Sequence, residues 1–97
     1  MLTGTAMAHM LAGRFDAASS WAGKALRELP DFLLAIGVVA ASQSLAGRPE
    51  EARRAMRHLR RLDPALRISK IGEWVLLRRP KDLATFADGL RKAGLPE

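Results

Sequence analysis

The feature that most constrains this chain is a seven-residue turn used twice. It reads Ala12-Gly13-Arg14-Phe15-Asp16-Ala17-Ala18 and, 34 positions later, Ala46-Gly47-Arg48-Pro49-Glu50-Glu51-Ala52. At the same offset Ala6 aligns with Ala40, Leu11 with Leu45, Arg27 with Arg61 and Pro30 with Pro64, so the register extends over a whole helix-turn-helix unit. A fixed period of this length marks a helical repeat array, in which each unit buries its apolar face only by stacking on its neighbour. The expected fold is therefore all-α: a right-handed stack of antiparallel helix pairs in one domain, with repeats at 1–30 and 31–64 and a degenerate capping unit at 65–97.

The local signals divide each unit into a first and a second helix. Residues 1 to 12 form the first, carrying Leu2, Met7, Met10 and Leu11 among alanines, and Gly13 supplies the left-handed residue that stops it. Its partner runs from about Asp16 to Glu28, with Ala18, Trp21, Ala22, Ala25 and Leu29 spaced along one face. Asp31 is placed to cap the next helix, Phe32 to Ala46, where Gly37, Ala40, Ala41 and Ser44 allow close backbone approach. In the helix opened by Pro49, Glu50 and Glu51 complement the positive end of the dipole, while Arg60 and Arg61 complement the negative end. Its apolar set is Ala52, Ala55, Met56, Leu59 and Leu62; Arg53, Arg54, Arg57, Arg60 and Arg61 fall on the opposite arc.

After Pro64 the repeat pattern fades. A short helix is expected around Leu66 to Ile71, ending there or continuing to Val75, then a connector through Leu77-Arg78-Arg79. A final helix then opens at Pro80, with the stripe Leu83, Phe86, Ala87, Leu90 and Ala93 and a stop at Gly94-Leu95-Pro96. The first unit, counted back from Pro30, would start before Met1, which predicts coding sequence upstream of this chain.

The glycine that closes each first helix, Phe15 after it, the early second-helix alanines Ala18 and Ala52, and the closing Pro30 and Pro64 resemble the tetratricopeptide repeat over residues 1–64. The family's aromatic near the start of the first helix is replaced by Leu2 and Ile36, and its late second-helix alanine is Ala25 once and Leu59 once. The resemblance implies an α-solenoid scaffold that binds a protein or peptide. The inner groove would be lined by Thr3, Met7, Met10, Leu34, Gly37, Ala41 and Ser44. The Lys and Asn residues with which chaperone-binding members clamp a peptide carboxylate are missing. The tail segments Ile68-Ser69-Lys70-Ile71, Arg79-Pro80-Lys81-Asp82-Leu83 and Gly89 to Pro96 resemble the C-terminal ends of bacterial proteins that join a class III nucleotide cyclase or winged-helix domain to such an array. That likeness implies a module of a larger signalling or regulatory protein.

Function classes narrow by what the residues supply. With no cysteine, disulfides, thiolate metal sites and thiol nucleophiles are excluded. His9 and His58 stand on different helices without ligand partners at metal spacing, and no phosphate loop, nucleophile elbow or paired acid and base appears. No catalysis, cofactor, metal or small-molecule substrate is expected. The N-terminus lacks the basic segment and apolar run of a secretory signal, and the most apolar stretch, Phe32 to Ser42, is shorter than the roughly 20 residues needed to cross a bilayer. A cytoplasmic chain without a membrane partner is expected.

Two readings of function remain. The first is a protein-interaction scaffold, favoured as a homo-oligomer because Leu2 and Met10 on the flank of the first helix would need cover. The second is a nucleic-acid-associated domain acting through Arg53, Arg54, Arg57 and Arg61, to which a net charge of +6 is suited. The basic helix carries no base-reading Asn, Gln or aromatic residue, which favours the first reading. Trp21, on the core stripe, is expected to pack against the helix that follows it, and Trp74 to anchor the tail or contact a partner.

Overall fold

The computed structural model describes residues 2–74 and 80–97, and of Leu2, Thr3, Glu73 and Trp74 the backbone alone. The expected Leu77-Arg78-Arg79 connector and the Trp74 side chain lie outside the described residues. Within them the chain is all-helical: α1 (Leu2–Leu11), α2 (Phe15–Glu28), α3 (Leu33–Leu45), α4 (Pro49–Leu62), a 3₁₀ turn (Ile68–Lys70), α5 (Ile71–Trp74) and α6 (Pro80–Ala93). Helices consecutive from α1 to α4 pack on one another, and α6 returns to lie mainly on α3.

The sequence period is reproduced in the backbone. Gly13 and Gly47 take φ 82° and 80°, a left-handed conformation that an L side chain enters at a cost of about 1–2 kcal/mol. Each closes its helix with the same bonds: Gly13 N–H donates to Met10 C=O and Arg14 N–H to His9 C=O, as Gly47 does to Ser44 and Arg48 to Gln43. These two bonds per turn satisfy carbonyls that a helix end leaves unpaired. The next helices also begin and end at equivalent residues, α2 at Phe15 and Glu28, α4 at Pro49 and Leu62. Gly94 (φ 115°) closes α6 in the same way, with Gly94 N–H donating to Arg91 C=O and Leu95 N–H to Leu90 C=O.

One apolar cluster joins the three sequence units. Ala6, Met7 and Met10 from α1, Ala18 and Ala22 from α2, Ile36, Val38 and Ala41 from α3, Met56 and Leu59 from α4, and Phe86 and Leu90 from α6 are all buried in it. Because α6 covers α3 and does not extend the stack, the molecule measures 28 × 27 × 24 Å, nearly as deep as it is long. The chain end is held against the 3₁₀ turn: Ile68 N–H donates to Pro96 C=O and Ser69 Oγ to Glu97 C=O.

Several expectations are corrected by these contacts. Leu29, placed on the α2 core face by its spacing, is 59% exposed, because α2 ends one residue earlier and the non-helical backbone at Leu29 (φ −133°) turns it off that face. Leu62, the last residue of α4, is 38% exposed at the same kind of helix end. Asp31 does not cap α3, whose N-cap position is Phe32 with no side-chain bond. Its carboxylate lies 3.4 Å from His58 Nε2 on α4. Trp21 is half-buried against the core, with the Lys24 ammonium 4.4 Å from its ring centroid.

Candidate interaction surfaces

Three surfaces follow from this packing. The first is the face of α3 on which the sequence placed a groove. Small residues there permit a helix to approach closely, and α6 does so at Gly89: a Cβ built on Gly89 would lie 2.8 Å from Ala41 Cβ and 3.0 Å from Ala41 Cα and O. Ser44 Oγ donates to Gly89 C=O at 2.5 Å and also lies 3.1 Å from Ala41 C=O. A residue that lacks a Cβ thus meets a residue with a minimal side chain, and the hydroxyl beside them bridges the two backbones.

Of the seven residues expected to line that groove, Met7, Met10, Gly37 and Ala41 are buried, and Leu34 and Ser44 are half-buried. The Thr3 side chain lies outside the described residues. Met10 is 1% exposed within the chain itself, so it does not present the open flank on which self-association was expected to rest. Its role here is packing.

The second surface is a cleft of about 470 Å³ between α4 and the end of α6. Four guanidinium-bearing residues line it, Arg53, Arg57, Arg60 and Arg61, over Met56, Pro64 and Ala93. Met56 and Ala93 are almost wholly buried, so they form an apolar floor beneath an exposed cationic rim. The steps from Arg53 to Arg57 and from Arg57 to Arg61 are one helical turn each, spacing them about 6 Å apart along α4. Arg54, grouped with them in the sequence, faces a different cleft.

That third surface, about 310 Å³, lies among α2, α3 and α4 and is lined mainly by Leu26, Ile36, Val39 and Ala55, with Gln43, Glu51, Arg54 and His58 around them. It is the more apolar of the two clefts. The pair Asp16 with Arg48 ties the first unit to the second across exposed surface, and Asp31 with His58 ties the start of the second unit to its own α4. Such exposed ion pairs are each worth about 0–1 kcal/mol.

At the end of α6 charges pair locally. Arg91 reaches Asp88 at 3.7 Å and Glu97 at 2.6 Å, and Lys92 lies 3.3 Å from Asp88. The hydrogen bond from Arg91 lowers the Glu97 carboxyl below its ordinary value, and the same bond raises the arginine. His9 Nδ1 accepts from Arg14 Nε at 2.9 Å, a local contact next to the first glycine turn.

Among the described residues, no three His, Asp or Glu side chains gather closely enough to hold a metal ion, and no helix is long and apolar enough to cross a membrane. No protein-family model, curated protein or solved structure matches the chain at a significant level. The functional reading therefore rests on the repeated geometry and on the surfaces it leaves open.

Proposed function

We propose that this chain is a non-catalytic protein-interaction scaffold built from two tetratricopeptide-like repeats and a capping helix. The observation that carries the reading is the recurrence, at a 34-residue offset, of the glycine turn with its φ values and hydrogen bonds. A repeated helix pair is a device for stacking, and stacking presents the outer faces of the helices as one rigid surface. With α6 lying on the inner face of α3, partner contact falls to the outer faces, where the arginine cleft and the apolar cleft lie.

Self-association remains the favoured form of this scaffold on different grounds from those in the sequence. Leu29, the residue after α2, and Leu62, the last of α4, lie at the ends of equivalent helices and are both exposed, as Met10 is not. The same surfaces would serve a heterologous partner if the chain acts as a module of a larger bacterial signalling or regulatory protein in the cytoplasm.

Light scattering over a wide concentration range, at low and high salt, tests this. The expected result is a dimer or larger species that survives salt and dissociates in Leu29→Glu/Leu62→Glu, whose changes lie at exposed positions. A monomer at every concentration would overturn self-association. A species that forms only with added nucleic acid and vanishes at high salt would overturn the protein scaffold itself.

A further inference from the structure

We propose that the arginine cleft between α4 and the end of α6 binds an acidic segment of a partner protein that carries leucine or a similar apolar residue between its carboxylates. The inference rests on the scaffold reading and names the partner chemistry.

Among the described residues the arginines of the cleft are uncompensated. Arg53, Arg57, Arg60 and Arg61 form no ion pair among the described residues, whereas Arg48, Arg91 and Lys92 each have a carboxylate partner. Glu50 and Glu51 stand in the first turn of the same helix, within sequence reach of Arg53 and Arg54, yet neither closes a bridge. Like charges one turn apart on a helix repel, so the row destabilises α4 on its own. Arg60 and Arg61 offset this at the negative end of the helix dipole. Arg53 and Arg57 stand in the body of the helix, where the dipole offers no such compensation. An external anion supplies it.

The floor of the cleft decides the kind of anion. Met56, Pro64 and Ala93 give it apolar contact, and α4 and α6 both end beside it, at Leu62 and Ala93, bringing the carbonyl ends of two helices to that side. A phosphate backbone would set charge over the apolar floor and those carbonyls as well as over the arginines, and among the described residues the lining has no aromatic side chain on which a base could stack. A peptide separates the two needs. Its carboxylates meet the planar donors of Arg53 and Arg57, and an apolar side chain between them meets Met56 and Ala93.

A second copy of this chain is a poor occupant. It carries sixteen basic residues against ten acidic ones, and Asp16, Asp88 and Glu97 already face an arginine or lysine within the chain, as Asp31 faces His58. The complementary segment therefore belongs to a different and more acidic protein.

The test is fluorescence anisotropy with three labelled probes at physiological salt: a short peptide of repeating Glu-Glu-Leu, polyglutamate of equal length and oligothymidylate. The Glu-Glu-Leu peptide is expected to bind most tightly, and Arg53→Gln/Arg57→Gln to weaken it about tenfold or more, the scale of losing two desolvated charge contacts. Lys24→Gln/Arg27→Gln, which removes two positive charges from α2 at positions that do not line the cleft, is expected to leave it within about twofold. Circular dichroism checks that both variants stay helical.

Tighter binding of oligothymidylate would overturn the proposal in favour of nucleic acid. Equal binding of polyglutamate would remove the apolar contact from it, and equal loss in both double variants would reduce it to net charge; either result overturns it. If Arg53→Gln/Arg57→Gln keeps the wild-type solution mass while peptide binding is unchanged, the cleft assignment falls and the scaffold reading stands.

Discussion

Helices α2 and α4 are the same structural element with opposite surfaces. They start and stop at equivalent residues, follow the same left-handed glycine, and bury equivalent alanines, Ala18 and Ala52, at the same depth. Yet α2 carries Ser19, Ser20, Gly23 and Lys24 where α4 carries Arg53, Arg54, Arg57 and His58. The lesson is that the period is held by the few positions that close the turn or touch the next helix. Outward positions are free of that constraint, and it is there that the two units differ in charge and one acquires a cationic cleft.

The sharpest way to break the comparison is in the core, where Ala25 and Leu59 are equivalent and both buried. Leu59→Ala makes the second unit match the first. It is expected to cost about 2–5 kcal/mol, because the space filled by the leucine does not collapse in a packed interior. Chemical denaturation followed by circular dichroism measures it, and a cost below about 1 kcal/mol would mean that the two units pack interchangeably.

The units differ next in what rests on their first helices, and Gly89→Ala probes this. Its new methyl would meet the α3 backbone at Ala41, with no flexible side-chain end to yield, so destabilisation of about 1–3 kcal/mol is expected. Loss of the Ser44 to Gly89 bond should appear as faster amide exchange in the α6 turn around Gly89.

A symmetrical pair of variants sharpens the likeness itself. Gly13→Ala and Gly47→Ala each place a Cβ at a positive φ with open space around it, so backbone strain alone acts, at about 1–2 kcal/mol in both. Midpoints of thermal unfolding that fall by equal amounts would confirm that the two turns are energetically equivalent. A difference between them would locate an added constraint in one unit.

The smallest effect lies outside the repeated pair, at the chain end. Glu97 has a folded pKa lowered by its bond from Arg91, so its contribution is complete above the unfolded value and is lost as pH falls through the lowered folded value. An NMR titration of the Glu97 side chain should show the depressed midpoint, and Arg91→Gln should return it toward the ordinary glutamate range.

Much of the fold was legible because its signals are local. Gly13, Gly47 and Gly94 each end a helix, and Pro49 with its acidic neighbours begins one, through chemistry confined to a few consecutive residues. The dipeptide Ala93-Gly94 repeats Ala12-Gly13 and Ala46-Gly47, and its helix ends with the same bonds. The apolar stripe of α6, Leu83, Phe86, Ala87, Leu90 and Ala93, does not include Gly89, which sets the helix's approach to Ala41.

The expected groove shows where that legibility ends. The small residues Gly37, Ala41 and Ser44 announced close helix approach, and the sequence gives their spacing but not the identity of the helix that approaches. The arginine row was visible in the same way, as a stripe, while its apolar floor was not, since Met56 and Ala93 are far apart in sequence.

The sequence by itself determined the helices, their glycine turns and the 34-residue period, because capping and periodicity depend on neighbours along the chain. Tertiary structure alone decided that α6 lies against Ala41, that Met10 is enclosed, and that Arg53 and Arg57 share a cleft with Ala93. These are contacts between distant residues, fixed by how volumes and close approaches fit once the helices pack, and a one-dimensional pattern carries no record of that fit.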